Sequence, residues 1–421
     1  MFGVFINAWK VKEIRKKILY TLLILAIIRL GCHISLPGID VAAVKAAQDL
    51  NSTGTLYNII AGGANSRWSI FSMGIGPYIT SSIIMQLLTI AIPRLEQLHK
   101  EGEEGRKKIQ SYSRDLTVAL ALIQGIGVTY SYKSMFISNS MFLYVICVIS
   151  LMCGTTFIMW LAEQITAKGV SNGSSMVIFV NIVSNLPAGA RTLYYYATSG
   201  EVSGIIKVVG LILVLLAVIA FIVVVHEGER RLAVQYSSKM AGHRQYGGQS
   251  TFMPIKVNTS GVISIIFAIS LIQFPETIGQ FISNKGEIFT NIIKYLSMTH
   301  PVGSIIYILL IIVFTYFYTS IVINPNEIAE NMKKNGGFIP GIRPGQPTSA
   351  YITKIVSRIT FVGAIAYAVL AMVPIVLQWV LGMNVGFGGT TLIIVVGVCL
   401  DIVKALESQL LMRHYKGFLN A

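Results

Sequence analysis

LYNIIAGGANSRWSIFSMGIGPYITSSIIMQLLTIAIP, residues 56–93, decides how this chain folds. It opens as a short, half-polar piece with paired Gly62 and Gly63, passes Asn65, Ser66 and Arg67, and becomes largely apolar only from Phe71 to Ile92. At 1.5 Å rise per residue the apolar part is long enough to cross a bilayer. The piece before it is not. A Gly-broken segment directly ahead of a spanning helix is tolerated at membrane depth only where it is buried in protein or lines a watery cavity, because its backbone cannot face lipid. The stretch therefore implies a cavity with something folded into it.

Composition sets the class. Of 421 residues 54% are hydrophobic and 12% charged, with mean hydropathy +0.68. Soluble domains carry roughly a quarter charged residues, so the chain reads as an all-α polytopic membrane protein. The net charge of +15, from 33 Lys and Arg against 18 Asp and Glu, is first a topology signal, since basic residues are retained on the cytoplasmic side. Nucleic-acid binding is the weaker reading of that charge. Cys32, Cys147, Cys153 and Cys399 fall in or beside apolar runs without a C-x-x-C pair and read as small core residues.

Ten apolar runs follow one another, at about 18–35, 71–92, 116–133, 141–162, 176–188, 204–225, 259–281, 303–323, 356–376 and 389–406. Basic residues ahead of the first run, with Arg29 inside it and no cleavage site directly after it, read as a retained span with a cytoplasmic amino terminus. The fifth run is short and polar, with Asn181 inside it and Ser174 and Ser175 in its first turn. Residues 36–70 form an external loop. The charged segment 93–115 is expected to be a solvated cytoplasmic loop, as are 226–258 and 324–355; the last, rich in Pro and Gly, is expected to be a rigid tip rather than a helix. Both termini then lie in the cytoplasm.

No G-x-x-x-x-G-K-[ST] or H-E-x-x-H motif is present, and the one G-x-S-x-G, GVSNG at 169–173, lies in a turn between spans. The histidines lack ligand spacing, and no cofactor is implied. Glu163, Glu227, Glu276 and Asp401 lie toward span ends, Asp401 near Lys404, whereas ion-coupled transport usually places a carboxylate in mid-span. What remains are two apolar pairs at i, i+4, Ile75 with Ile79 and Ile178 with Ile182, which by spacing alone are lipid-facing or packing residues. Gln86, Gln124, Asn258 and Thr259 are polar groups that should find partners between helices.

IIAGGANSRWSIFSMGIGPYITSSIIMQLLTI (59–90) resembles the plug and second helix of the SecY family of protein-conducting channels. YGGQSTFMPIKVNTSGVI (246–263) resembles its segment leading into helix seven, FIPGIRPGQPTSAYI (338–352) its next cytoplasmic loop and GGTTLIIVVGVCLD (388–401) its tenth helix. The resemblance runs over essentially the whole chain, in order. It implies a clamshell of two inverted five-helix halves, 1–190 and 191–421, around an hourglass pore in the bacterial cytoplasmic membrane. It implies a pore ring of Ile75, Ile79, Ile178, Ile182, Ile266 and Ile394, and a plug at about 57–68 that includes Ile60, Gly62, Gly63, Asn65, Ser66 and Arg67. It further implies a lateral gate to which Gln86, Gln124, Asn258 and Thr259 contribute. Power would come from partners, the SecA ATPase or a ribosome, docked on Arg230, Arg231, Lys256 and Arg343, with SecE-like and SecG-like small subunits alongside. Signal sequences, unfolded preproteins and membrane lipids complete the expected contacts, with nucleic acid limited to ribosomal RNA. Ser264 stands where the family commonly has proline, His243 replaces a usual basic residue, and the tail is short. A secondary transporter would need a polar coordinating cluster at the repeat interface; a structural scaffold would leave the plug-like segment unexplained.

Overall fold

The computed structural model describes residues 2–40, 68–138, 140–198, 202–236, 239–241, 244–246, 250–257, 261–279, 287–296, 300–381 and 389–419. The chain is mostly helical and forms two compact units. The first contains Met1–Val208, Ser270–Lys294 and Met383–Ala421; the second contains Val209–Ile269 and Tyr295–Gly382.

Two helices open the first unit, α1 (Phe2–Lys10) and α2 (Lys12–Gly31). After residues 36–40 and 68–75, α3 (Gly76–Ala91) begins at a Gly-Pro pair, five residues later than the apolar run suggested, because residues 71–75 form turns. Proline at the first helical positions loses no intrahelical bond. The same chemistry ends the helix. Pro93 forces Ile92 into extended geometry (φ −108°, ψ 114°), and α4 (Pro93–Lys100) leaves at a bend of 99°.

The charged segment 93–115 is therefore helical, which corrects the loop expected there. Gly102 breaks it at φ 86°, and α5 (Glu103–Ser131) starts immediately after, with Glu103 and Glu104 in its first turn, where carboxylates complement the helix dipole. The central helix is α6 (Met141–Lys168), packed against α2, α3 and α5. Its buried stripe includes Cys147, Leu151, Gly154, Ile158, Leu161 and Ile165. Next comes α7 (Gly173–Thr198), 26 residues long with Pro187 inside, so the short fifth span expected from its polarity is overturned. Ser174 and Ser175 do lie in its first turn, and Asn172 accepts bonds from the Ser174 amide (3.0 Å) and hydroxyl (2.7 Å).

The second unit takes most of α8 (Val202–Glu227), whose Leu213, Leu216 and Val224 are exposed apolar side chains suited to lipid. Beyond it the polar segment is a sheet rather than an unstructured loop. β1 (Glu229–Tyr236) is followed by the short pair β2 (Lys239–Ala241) and β3 (Arg244–Tyr246), and then by β4 (Ser250–Lys256). β1 pairs antiparallel with β4, from Glu229 opposite Lys256 to Gln235 opposite Ser250.

α9 (Ile263–Gly279), α10 (Glu287–Leu296) and α11 (Pro301–Val322) follow. Then the segment expected to be a helix-free tip holds α12 (Pro325–Lys334). That correction has a local cause. Asn324 accepts from the Glu327 amide at 3.4 Å, Pro325 opens the helix, and Lys333 and Lys334 close it. β5 (Gly337–Phe338) adds to β1, giving the order β4-β1-β5, and Leu232, Val234 and Ile255 point into apolar clusters with Met332, Ile352 and Ile355. α13 (Gln346–Leu381) starts ten residues before the ninth apolar run and packs on α11 and α12. α14 (Gly389–Leu419), in the first unit, packs on α7 and α1.

Each of the ten apolar runs falls on a helix: α2, α3, α5, α6, α7, α8, α9, α11, α13 and α14. Among the described residues five helices are long and apolar enough to cross a membrane, or six if the bent α3–α4 pair is one span. Of the four free cysteines, Cys32 and Cys147 are buried, but Cys153 and Cys399 are exposed, so the core reading holds for only two of them.

Candidate waist, plug seat and docking loops

Ile75 is fully buried in the turn ahead of α3, and its carbonyl accepts the Ile79 amide at 3.1 Å. One turn on, Ile79 is half-buried. Ile178 and Ile182 are buried on α7, and Ile394 is buried on α14, which packs against α7. These side chains are packed against protein, which removes the lipid-facing reading for Ile75, Ile178 and Ile182. Ile266, in the second unit, is half-buried on α9. Its neighbour Phe267 meets Phe314 of α11 edge-on at 5.8 Å. Ser264 is fully buried in the first turn of α9, so a continuous helix forms there without the usual proline.

Ile60, Gly62, Gly63, Asn65, Ser66 and Arg67 lie outside the described residues. The seat that follows them is described in detail. Trp68 is fully buried at φ 45°, the one positive φ outside glycine among the described residues. Its carbonyl accepts the Leu36 amide at 2.8 Å, and the Ile70 amide donates to the Ile34 carbonyl at 3.0 Å. Its ring meets Tyr132 edge-on at 4.5 Å, within a cluster that includes Leu36, Met73, Ala121 and Leu151. The backbone beyond runs close to α6, where a Cβ at Gly154 would collide with the Ile70 carbonyl oxygen.

Gln86 is half-buried on α3; its amide nitrogen reaches Ser82 Oγ at 3.5 Å, and no described donor reaches its buried Oε1. Gln124 is half-buried on α5, which packs against α3. Asn258 and Thr259 lie outside the described residues. In the second unit, Arg230 and Arg231 are exposed on β1 and Lys256 on β4; Arg231 pairs with Glu229 at 2.8 Å. Arg343 is exposed on the loop between β5 and α13.

The SecY family model matches residues 69–403, which spans α3 to α14. The chain belongs to the SecY family. The protein translocase subunit SecY of Halalkalibacterium halodurans is 43% identical over 430 residues, and that of Bacillus subtilis 41% identical over 433, each covering 100% of both chains. A solved protein-conducting channel shares the fold, with a TM-score of 0.66 and 18% identity over 94% of this chain and 91% of that one. Canine Sec61 in a ribosome–channel complex does so as well, with a TM-score of 0.62 and 18% identity over 93% of this chain and 91% of that one. SecY is a family of channels, not of enzymes.

Polar contacts that the sequence reading missed tie the first unit of this SecY-family chain together. Ser81 Oγ donates to the Ser113 carbonyl at 2.6 Å, joining α3 to α5 out of contact with water. Arg114 Nε pairs with Glu163 Oε1 at 2.7 Å, and Gln110 donates to the same oxygen at 3.2 Å, joining α5 to α6. Gln110, Ser113 and Arg114 sat in a segment read as a loop, so nothing in sequence spacing placed them on a helix face. Trp68 was hidden by its position, inside the segment expected to be plug.

Proposed function

We propose that this chain is the channel through which unfolded secretory polypeptides cross the cytoplasmic membrane, and from which apolar segments pass sideways into lipid. The observation that carries the reading is a set of branched aliphatic side chains in a SecY-family fold, Ile75 buried ahead of α3, Ile178 and Ile182 buried on α7 and Ile394 buried on α14. Such side chains around a narrow waist exclude water and ions by dewetting, yet yield to a passing chain because they make no directional bonds. Ile75, Ile79, Ile178, Ile182, Ile266 and Ile394 supply that waist in this reading, between halves 1–190 and 191–421. In this reading residues 57–68 plug it from outside.

Gln86 and Gln124, with Asn258 and Thr259, line the lateral seam in this reading; Gln86 bonds to Ser82 of its own helix rather than to the interhelical partner expected for it, and interhelical hydrogen bonds of roughly 0.6 to 2 kcal/mol each are weak enough for an apolar signal helix to displace. Driving force comes from outside the chain. SecA or a translating ribosome docks on the β1–β4 sheet and the Arg343 loop, using Arg230, Arg231, Lys256 and Arg343, and SecE-like and SecG-like subunits complete the complex. The chain is multi-pass in the bacterial cytoplasmic membrane with both termini in the cytoplasm, a reading supported by the basic loops, and the ten helices found where ten apolar runs occur fit it.

Substituting the waist tests the assignment. Replacing Ile79 and Ile182 together by Asn, in reconstituted vesicles, raises resting ion flux by an order of magnitude or more if the waist is a dewetted barrier; unchanged flux contradicts it.

A further inference from the structure

The loop that carries Arg343 is held by more contacts than a solvent-exposed turn requires. Ahead of the arginine, Ile339 is 6% exposed and Ile342 is half-buried, both in the cluster with Val234, Met332 and Ile352, and the Ile342 amide donates to the Ile339 carbonyl at 3.0 Å. Gly341 (φ 81°) and Gly345 (φ 104°) turn the chain on either side, in a region that side chains rarely adopt. Pro344 confines the backbone of Arg343 itself. Behind it, Thr348 is 2% exposed and donates its hydroxyl to the Arg343 carbonyl at 2.8 Å. Ser349, next to it, donates to Asn326 Oδ1 of α12 at 2.5 Å, and β5 ties the same loop to β1. The backbone of Arg343 is thus fixed, and its side chain is left in solvent.

We propose that Thr348 is a positioning residue for Arg343, presetting that guanidinium to pair with a carboxylate on an acidic protein partner. This rests on the reading of Arg343 as a docking contact. A carboxylate is favoured over a nucleic-acid phosphate because Arg343 is the single charge of its own loop, residues 335–353, while Lys333 and Lys334 lie on α12, Lys354 on α13, and Arg230, Arg231 and Lys256 on β1 and β4. Phosphate backbones are followed by rows of cations, whereas one fixed guanidinium matches a carboxylate through two parallel hydrogen bonds. Holding the root of the side chain in place reduces the ordering cost of docking.

The test measures the affinity of purified SecA, and separately of non-translating ribosomes, for the reconstituted channel complex carrying Arg343→Ala, Thr348→Val, Thr348→Ser, or Arg343→Ala with Thr348→Val. Thr348→Val removes one hydroxyl at nearly constant volume. It is expected to weaken SecA binding about fivefold, the effect of one hydrogen bond, with Thr348→Ser close to wild type and the double variant no weaker than Arg343→Ala alone. Equal losses from Thr348→Val with and without Arg343 overturn the proposal, since Thr348 then supports only the fold. An unaltered affinity for Thr348→Val does the same. Dependence of ribosome binding, but not SecA binding, on this pair overturns the choice of an acidic protein. If Arg343→Ala itself binds SecA normally, the docking assignment is what fails.

Discussion

Trp68 occupies a backbone conformation that costs a non-glycine residue of order 1 to 3 kcal/mol, and its setting explains why it persists. The ring is fully buried against Tyr132, and the backbone is bonded to Leu36. Trp68→Ala should destabilise the first unit by about 3 to 5 kcal/mol, measured as a fall in thermal aggregation temperature in detergent; an unchanged temperature would show that the seat is not structural. Gly154→Ala tests the neighbouring contact. A methyl group there must displace the Ile70 carbonyl, so the variant should lose yield and heat resistance, while Gly76→Ala, with open space around it, should not. Residues 59–90 pointed to a buried irregular segment, which the described residues 68–75 are, and the aliphatic pairs at 75, 79, 178 and 182 were legible as stripes. Which residue anchors the segment was not, because burial of Trp68 depends on α5 and α6, far away in sequence.

At the scale of elements, hydropathy located the spans and failed on what lies beyond them. A periodic apolar run announces a membrane helix, but α4 and the first turns of α5 are mostly polar and charged, with only Leu95 and Leu98 half-buried on α4, and their ends are set by Pro93, Gly102 and the acidic first turn of α5. Likewise α12 was legible from its cap, Asn324-Pro325 with Glu327, had turn residues not been weighed above it. The sheet β4-β1-β5 was hidden because, among the described residues, Leu232 and Val234 on β1 and Ile255 on β4 are the only buried ones of its two long strands, too few for a clear alternation. The α5–α6 ion pair gives this scale its prediction. Glu163 is the less exposed partner, 13% against 46% for Arg114. Either Arg114→Glu or Glu163→Arg alone should destabilise the bundle, and the two together should recover about 1 kcal/mol, read from a double-mutant cycle of thermal unfolding in detergent. Additive effects would mean that the pair does not couple the helices.

For the whole molecule, a channel needs a barrier that is closed to ions and open to polypeptide, and the proposed waist consists of aliphatic residues rather than coordinating groups. Gating energetics follow. Removing the polar group at Gln86 by Gln86→Leu should favour the open seam and let precursors with weakened signal sequences cross several-fold faster, measured as protected precursor in vesicles; equal or slower transport would assign Gln86 to helix packing alone. The central claim is that a polypeptide occupies the waist. It is tested most directly by a photoreactive residue at Ile79 in vesicles containing this chain, its SecE-like partner, SecA and ATP, with a precursor stalled midway. A precursor-length adduct that depends on the signal sequence is the expected result. Adducts with lipid or neighbouring helices alone, while the precursor demonstrably crosses, would contradict it.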